Sequence, residues 1–315
     1  MILKPKRLQA GDTIGIVAPA SPLFPEDKLE KAKAYLQSLG YTVKMGQHIK
    51  KMRGYLAGSD DERADDINRM FADKSVKAIF CLRGGYGSPR LLRRLDYNLI
   101  RRNPKIFVGF SDITALCCAI FAKTGLITFS GPMLVSDMVS PDEYSQYHLW
   151  RMLTKARRYG RFINHETHRL VGLRSGEAKG RLIGGNLSLL TALIGTPYLP
   201  NMRKALLYFE DIGEEPYRID RMLSQFENAG ILEKLSGLII GQMTDCFEDD
   251  DEKPSLTLEE VMDDYLAWWS NGVPVCTNLS YGHTKHKLTL PIGARAKLTV
   301  RGRQAKLELL ETVVS

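Results

Sequence analysis

The chain has 315 residues, which suggests two domains or one large one, and 44% hydrophobic against 25% charged residues supply ample material for a core. No apolar run approaches the ~20 residues of a membrane span, and Gln9, Gly11 and Asp12 interrupt any signal-peptide core behind the basic start, so the cytosol is the expected location with no membrane partner. The formal net charge of +8 is a modest excess that suits anionic small substrates or serves solubility alone, and no nucleic-acid motif accompanies it.

Thr13 to Ala18 reads as a first buried strand, ended by Pro19-Ala20-Ser21-Pro22. Glu26 to Leu39 has the period of an amphipathic helix, with Leu29, Ala32 and Leu36 on one face and Gly40 as its stop. Tyr41 to Met45 is a second strand, and Asp60 to Ala72 a helix with an acidic first turn, as the helix dipole prefers. Val76 to Leu82 is a third strand, Leu91 to Leu95 lies within a short helix, Lys105 to Phe110 is a fourth strand and Ile127 to Phe129 a fifth. Strands alternating with helices predict an α/β fold whose parallel sheet is covered on both faces, in the Rossmann or flavodoxin-like manner.

Residues 136–175 break this rhythm. They hold Ser-Pro-Asp at 140–142, a tryptophan-bearing helix and the basic run Arg151, Lys155, Arg157, Arg158 and Arg161, which reads as a solvated helix face. A second, smaller α/β unit follows. Gly184-Gly185-Asn186-Leu187 opens a helix through Leu193, Ala205 to Phe209 is a strand, Tyr217 to Ala229 a helix and Leu238 to Ile240 a strand. The acidic loop Glu248 to Glu252 lacks EF-hand spacing and reads as solvated. A helix near Leu258 to Trp269 precedes a β-rich end, with segments around Val275 to Leu279, Leu288 to Leu290, Ala296 to Val300 and Ala305 to Leu309. The expected division is an N-terminal α/β domain over 1–135, a linker region over 136–175 and a C-terminal domain over 176–315.

Five scattered cysteines without C-x-x-C point to free buried thiols in a reducing compartment. Among six histidines, His165-Glu166-Thr167-His168 is not H-E-x-x-H, and no zinc set is complete. No metal and no cofactor are expected.

The informative stretch is Lys105 to Leu116. An apolar strand breaks at Gly109, Ser111 follows at the turn, and a helix begins at Asp112. That is the layout of a nucleophile elbow, which exposes a hydroxyl at a sheet end; its plainer reading is a serine N-cap. Ile113 stands where the second glycine of G-x-S-x-G would be. Glu210 directly follows the strand 205–209, and His283 follows Gly282 in a loop after another strand. Acidic bias ahead of the next helix is the alternative for Glu210, and a surface-loop histidine without a role the alternative for His283. The order Ser…Glu…His is that of α/β-hydrolase triads, although geometry decides such assignments. Arg83-Gly84-Gly85-Tyr86-Gly87-Ser88, directly after the third strand, suits either a phosphate or an oxyanion. It does not fit G-x-G-x-x-G.

Arg83-Gly84-Gly85-Tyr86-Gly87, Gly109-Phe110-Ser111-Asp112, Phe129-Ser130-Gly131-Pro132-Met133, Gly184-Gly185-Asn186-Leu187, Glu210-Asp211-Ile212-Gly213-Glu214 and Gly282-His283 occur in this order. Together they resemble the LD-carboxypeptidases, a family of serine peptidases that also includes the microcin-immunity hydrolases. The likeness runs from about Asp12 to Val300. It implies a triad of Ser111, His283 and Glu210 and an oxyanion hole from the backbone N–H groups of Gly85 and Asp112. Such a site is expected at the seam between the two domains, since Ser111 and Gly85 come from the first and Glu210 and His283 from the second. It further implies cleavage of terminal D-alanine from muropeptide tetrapeptides in cytoplasmic cell-wall recycling, by a homodimer. Arg83 is the side chain named for the substrate carboxylate; its alternative role is an ion pair anchoring the glycine loop. The rival functions are a microcin-type peptidyl-nucleotide amide hydrolase and a non-catalytic binder of cell-wall fragments or nucleotide.

Overall fold

Two β-sheets, joined by one largely buried helix, organise the chain in its computed structural model, which describes residues 1–23, 27–140, 142–250, 252–268 and 272–315. Glu26, Pro141, Asp251 and Trp269, which fall in segments expected above, lie outside the described residues. In chain order the first elements are β1 (Thr13–Val17), α1 (Asp27–Ser38), β2 (Thr42–Met45), α2 (Asp60–Ala72), β3 (Val76–Cys81), α3 (Tyr97–Arg102), β4 (Ile106–Gly109), α4 (Thr114–Thr124), β5 (Thr128–Ser130) and α5 (Glu143–Thr154). There follow β6 (Gly160–Arg161), β7 (Val171–Arg174), β8 (Gly176–Asn186), α6 (Leu187–Leu193), β9 (Leu206–Ile212), α7 (Pro216–Asn228) and β10 (Gly237–Thr244). The last are α8 (Leu258–Trp268), β11 (Val275–Thr277), β12 (Leu290–Ile292), β13 (Arg295–Arg301) and β14 (Gln304–Leu309).

The first sheet has the order β12-β5-β4-β3-β1-β2, and its pairs from β5 to β2 are all parallel. Its inner strands β3 and β4 are almost wholly buried, the pattern expected of a parallel sheet with helices on both faces. The edge strand β12 pairs antiparallel with β5, Leu290 opposite Ser130. Residues near the chain's end thus return to the first sheet, and the loop ahead of them passes over the C-terminal end of β4.

The second sheet is mixed and closed. It runs β13-β8-β9-β10-β11-β7-β14, and β13 pairs again with β14, so the strands form a barrel-like ring with β6 attached to β14. Helix α4 is apolar on every side and buried along most of its length. It packs on β4, β5 and β12 of the first sheet and on β8 and α6 beyond it, the position such a helix requires. No helix among the described residues is long and apolar enough to cross a membrane. All five cysteines are free and buried, and burial pushes the Cys117 thiol up to about 12.

Four expectations need correction. Leu91 to Leu95 is the end of a 3-10 turn (Ser88–Leu91) followed by turns; the helix nearby is α3, because Asp96 caps it by accepting the Leu99 N–H at 2.9 Å. Of the basic run only Arg151 sits on α5, which stops at Thr154; its guanidinium lies 4.4 Å from the Tyr159 ring centroid. Gly184-Gly185-Asn186 ends β8, and only Asn186 serves the helix, as its N-cap. Glu210 and Asp211 belong to β9, which continues to Ile212.

Candidate active site

The turn at Ser111 is a strained elbow. Ser111 has φ +61°, a left-handed conformation rare for residues with a side chain and concentrated at functional sites. Gly109 is needed just before it, since a β-carbon there would lie 2.2 Å from Ile113 Cγ2. One 3-10 turn (Ser111–Ile113) then leads into α4. Ser111 makes no capping hydrogen bond. Its Oγ instead lies 3.0 Å from His283 Nε2.

His283 Nδ1 is in turn 2.7 Å from Glu210 Oε2. Glu210 is 0% exposed, and burial pushes its carboxyl above the usual range while the His283 hydrogen bond opposes that shift. The imidazole rests on Phe110, ring centroids 4.8 Å apart, and Thr244 Oγ1 donates to the His283 carbonyl at 3.3 Å. Behind Phe110 the buried Lys287 ammonium sits 4.5 Å from the ring centroid and pairs with Asp137 at 2.6 Å. Glu214, the next glutamate along, has its nearest ion pair 3.8 Å away on Arg218 and forms no hydrogen bond or ion pair with His283.

Asn186 supports this chain, a role not read from the sequence. Its Nδ2 donates to Glu210 Oε1 at 3.3 Å and to Asp211 Oδ1 at 2.7 Å. Asp211 is held on its other oxygen by the Ser188 N–H and hydroxyl at 2.9 and 2.7 Å. The Asn186 N–H donates to Thr114 Oγ1 at 3.0 Å, so one residue ties the helix behind Ser111 to the buried Glu210. Gly185 permits the approach: its φ is +145°, and a β-carbon would lie 2.4 Å from Thr114 Cγ2.

The glycine loop lies against the elbow. A β-carbon on Gly84 would come 3.1 Å from Ser111 Cβ, and one on Gly85 (φ +113°) would come 2.2 Å from Ser21 Oγ. Ser21 Oγ accepts the Tyr86 N–H at 3.1 Å. The buried Asp112 carboxylate accepts the Gly87 and Ser88 amides at 3.2 and 2.8 Å, and Ser88 Oγ donates to the Asp112 carbonyl. Burial raises the Asp112 carboxyl, and these amides oppose the shift. Below the loop, the buried Arg63 guanidinium donates to the Pro19 and Gly87 carbonyls and pairs with Asp60 at 2.7 Å. The backbone N–H groups of Gly85 and Asp112 have no protein acceptor among the described residues. Arg83 donates to the Pro22 carbonyl at 3.3 Å and forms no ion pair among the described residues.

The arrangement therefore holds a serine hydroxyl, an imidazole and a buried carboxylate in one hydrogen-bonded line, next to two unpaired amides. It suits nucleophilic attack on a carbonyl, with the amides available to the oxyanion. The closest grouping of metal-ligating atoms among the described residues, His48 with Asp65 and Asp66, is not part of this line; Asp66 is engaged by the His48 N–H and ring.

Residues 14–131 match the LD-carboxypeptidase N-terminal domain and residues 179–298 the LD-carboxypeptidase C-terminal domain. The chain is 44% identical to the probable murein peptide carboxypeptidase of Bacillus subtilis over 97% of its own length and 94% of that protein. It is 30% identical to the microcin C7 self-immunity protein of Escherichia coli, over 91% of this chain and 90% of that one. Among solved structures it superposes on the muramoyltetrapeptide carboxypeptidase of Oxalobacter formigenes with a TM-score of 0.84 at 32% identity, covering 96% and 100% of the two chains. With matches over both halves and a relative this similar along nearly its whole length, the chain belongs to the LD-carboxypeptidase family.

Proposed function

We propose that this protein is a serine carboxypeptidase that removes the terminal D-alanine from muropeptide tetrapeptides, acting as a cytoplasmic homodimer in peptidoglycan recycling. The observation that carries the reading is the line Ser111 Oγ–His283–Glu210 at 3.0 and 2.7 Å beside the free Gly85 and Asp112 amides. The 44% identity to a probable murein peptide carboxypeptidase supports the substrate class. The free cysteines agree with a reducing compartment.

In the proposed reaction His283 Nε2 takes the Ser111 proton as the hydroxyl attacks the carbonyl that precedes D-alanine. Glu210, bonded to Nδ1, fixes the imidazole tautomer and stabilises the imidazolium that forms. The Gly85 and Asp112 amides receive the negative charge on the tetrahedral oxygen, commonly the largest single contribution to such catalysis. His283 then returns the proton to the departing amine, and water releases the acyl group by the same steps in reverse. Arg83, one residue before Gly84, is the cation assigned to the substrate's terminal carboxylate.

Similarity to the microcin C7 self-immunity protein favours a second reading, hydrolysis of an amide in a peptidyl-nucleotide. Mass spectrometry of muropeptides incubated with wild type and with Ser111→Ala tests the first. A product lighter than the tetrapeptide by about 71 Da, formed by wild type alone, is the expected result: D-alanine departs as the amine and the remaining acyl group takes up one water. Cleavage of an aminoacyl-adenylate analogue with no change in the tetrapeptide would instead select the second.

A further inference from the structure

The glycine loop carries a side chain that acyl transfer does not use. Tyr86, between Gly85 and Gly87, is 54% exposed, and its ring meets that of Tyr55, itself 62% exposed, with centroids 5.4 Å apart at 72°. The rings come from separate loops that are locked from beneath. Residues 53–56 close on themselves through the Arg53 and Leu56 backbone bonds at 2.8 and 3.1 Å. Leu56 is buried directly under Gly87, where a β-carbon would lie 2.4 Å from its Cδ2, and Arg63 holds the Gly87 carbonyl at 3.0 Å. A single exposed tyrosine calls for no explanation. A fixed pair with one ring on the loop that borders the nucleophile leaves aromatic surface in water where a ligand would arrive.

The position limits what that ligand is. Gly84 abuts Ser111, and Tyr86 is two residues on, so its Cα lies within about 7 Å of the Gly84 Cα, with the ring extending further. In a muropeptide tetrapeptide the scissile carbonyl belongs to the third residue, so three residues separate it from the muramyl sugar, about 10 Å of extended chain. A hexopyranose has a face of C–H bonds that packs on the electron-rich face of a phenol ring. An edge-to-face pair offers a corner with one open ring face, which suits a puckered sugar; a flat nucleobase is better held in a slot between parallel rings.

We propose that Tyr55 and Tyr86 form a saccharide platform that takes the muramyl sugar, so that the enzyme prefers sugar-bearing tetrapeptide to free tetrapeptide. The proposal rests on the carboxypeptidase reading above. The test is the ratio of kcat/KM for N-acetylmuramyl-tetrapeptide to that for the free tetrapeptide. In wild type the ratio should exceed one. Tyr55→Leu and Tyr86→Leu should each reduce it about tenfold, the worth of one aromatic stacking contact, and Tyr55→Phe should preserve it. Tyr55 is decisive because it lies outside the glycine loop, so its replacement leaves the Gly85 amide in place. A wild-type ratio of one, or a ratio unchanged in Tyr55→Leu, would overturn the platform while both peptides are still cleaved. Cleavage of neither peptide by wild type would overturn the carboxypeptidase reading and the platform with it. A Tyr55→Leu loss confined to an aminoacyl-adenylate analogue would assign the pair to a base instead.

Discussion

The Asp112 carboxylate accepts the Ser88 N–H at 2.8 Å, so the residue that follows the nucleophile also holds the loop that borders it. With the Gly87 amide on its other oxygen, the Asp112 carboxylate fixes the Gly85 amide relative to Ser111, although the carboxylate itself touches no reacting atom. Asp112→Ala should therefore lower kcat by one to two orders of magnitude, roughly the cost of one misplaced oxyanion donor, with a smaller change in KM. Asp112→Asn keeps one acceptor oxygen and should retain more activity. Equal kcat in wild type and Asp112→Ala would remove the carboxylate from the positioning of the loop.

Ser111 and His283 work as a unit in the proposed mechanism, so their losses should not multiply. Ser111→Ala and His283→Ala should each reduce kcat by several orders of magnitude, and the double variant should be little worse than either. Glu210→Gln should be damaging, because it puts a neutral amide against His283 Nδ1. Glu214→Gln, at a carboxylate with no hydrogen bond or ion pair to His283, should be mild. The opposite order of the two glutamine variants would reassign the carboxylate.

Ser111, Glu210 and His283 were legible in sequence for one physical reason. Each stands at or just past the C-terminal end of an apolar strand, where α/β sheets carry functional groups. The helices with strong periodicity, such as Asp60 to Ala72, were legible down to their ends because Ser59 and Glu62 form a capping box that stops the chain from fraying. What escaped depends on contacts distant in sequence. Strand β8 carries Gly176, Gly180, Gly184 and Gly185, which look like breakers; Gly180 and Gly184 are tolerated because the 204–208 backbone passes where their β-carbons would be. The side-chain work of Asn186 and Asp112 spans 24 residues in each direction that matters, to Glu210 and to Ser88. The strand expected at Leu288 to Leu290 lies two residues later, at Leu290–Ile292, and its return to the first sheet had no local signal, since that pairing is made only by β5.

Gly185 should accept no side chain. Its φ of +145° is unfavourable to any L-residue, and a β-carbon would strike Thr114, the first residue of the helix behind the nucleophile. Gly185→Ala should lower stability by about 2 kcal/mol or more, as a strained backbone and a steric overlap combine, and should lower kcat in the folded fraction by pushing α4 away from Asn186. Thr114→Ser in the same background removes Cγ2, one of the two colliding atoms, keeps the hydroxyl that accepts the Asn186 N–H and would itself lie 2.5 Å from the β-carbon, and should recover part of both losses. Denaturant unfolding of the single and double variants reads the stability. A double variant no more stable than Gly185→Ala would place the clash on atoms other than Thr114 Cγ2.

Acid should weaken the fold through His148, which is 4% exposed on α5 with Nδ1 bonded to the Tyr159 hydroxyl. Burial, assisted by the nearby Arg151 cation, holds its pKa down at about 4. In the unfolded chain the same group titrates near 6.5. Between these values the unfolded state binds the extra proton, so stability is fully present above about pH 6.5 and is lost as pH falls through 4. A separation of this size corresponds to about 3 kcal/mol at its upper bound. His148→Gln has no such proton to take up and can still bond Tyr159. It should be less stable than wild type at pH 7.5, from altered packing against Tyr144 and Tyr147, yet lose less stability on going to pH 4.5. Chemical denaturation at the two pH values measures both differences, and an identical pH dependence in wild type and variant would show that His148 is not the group responsible.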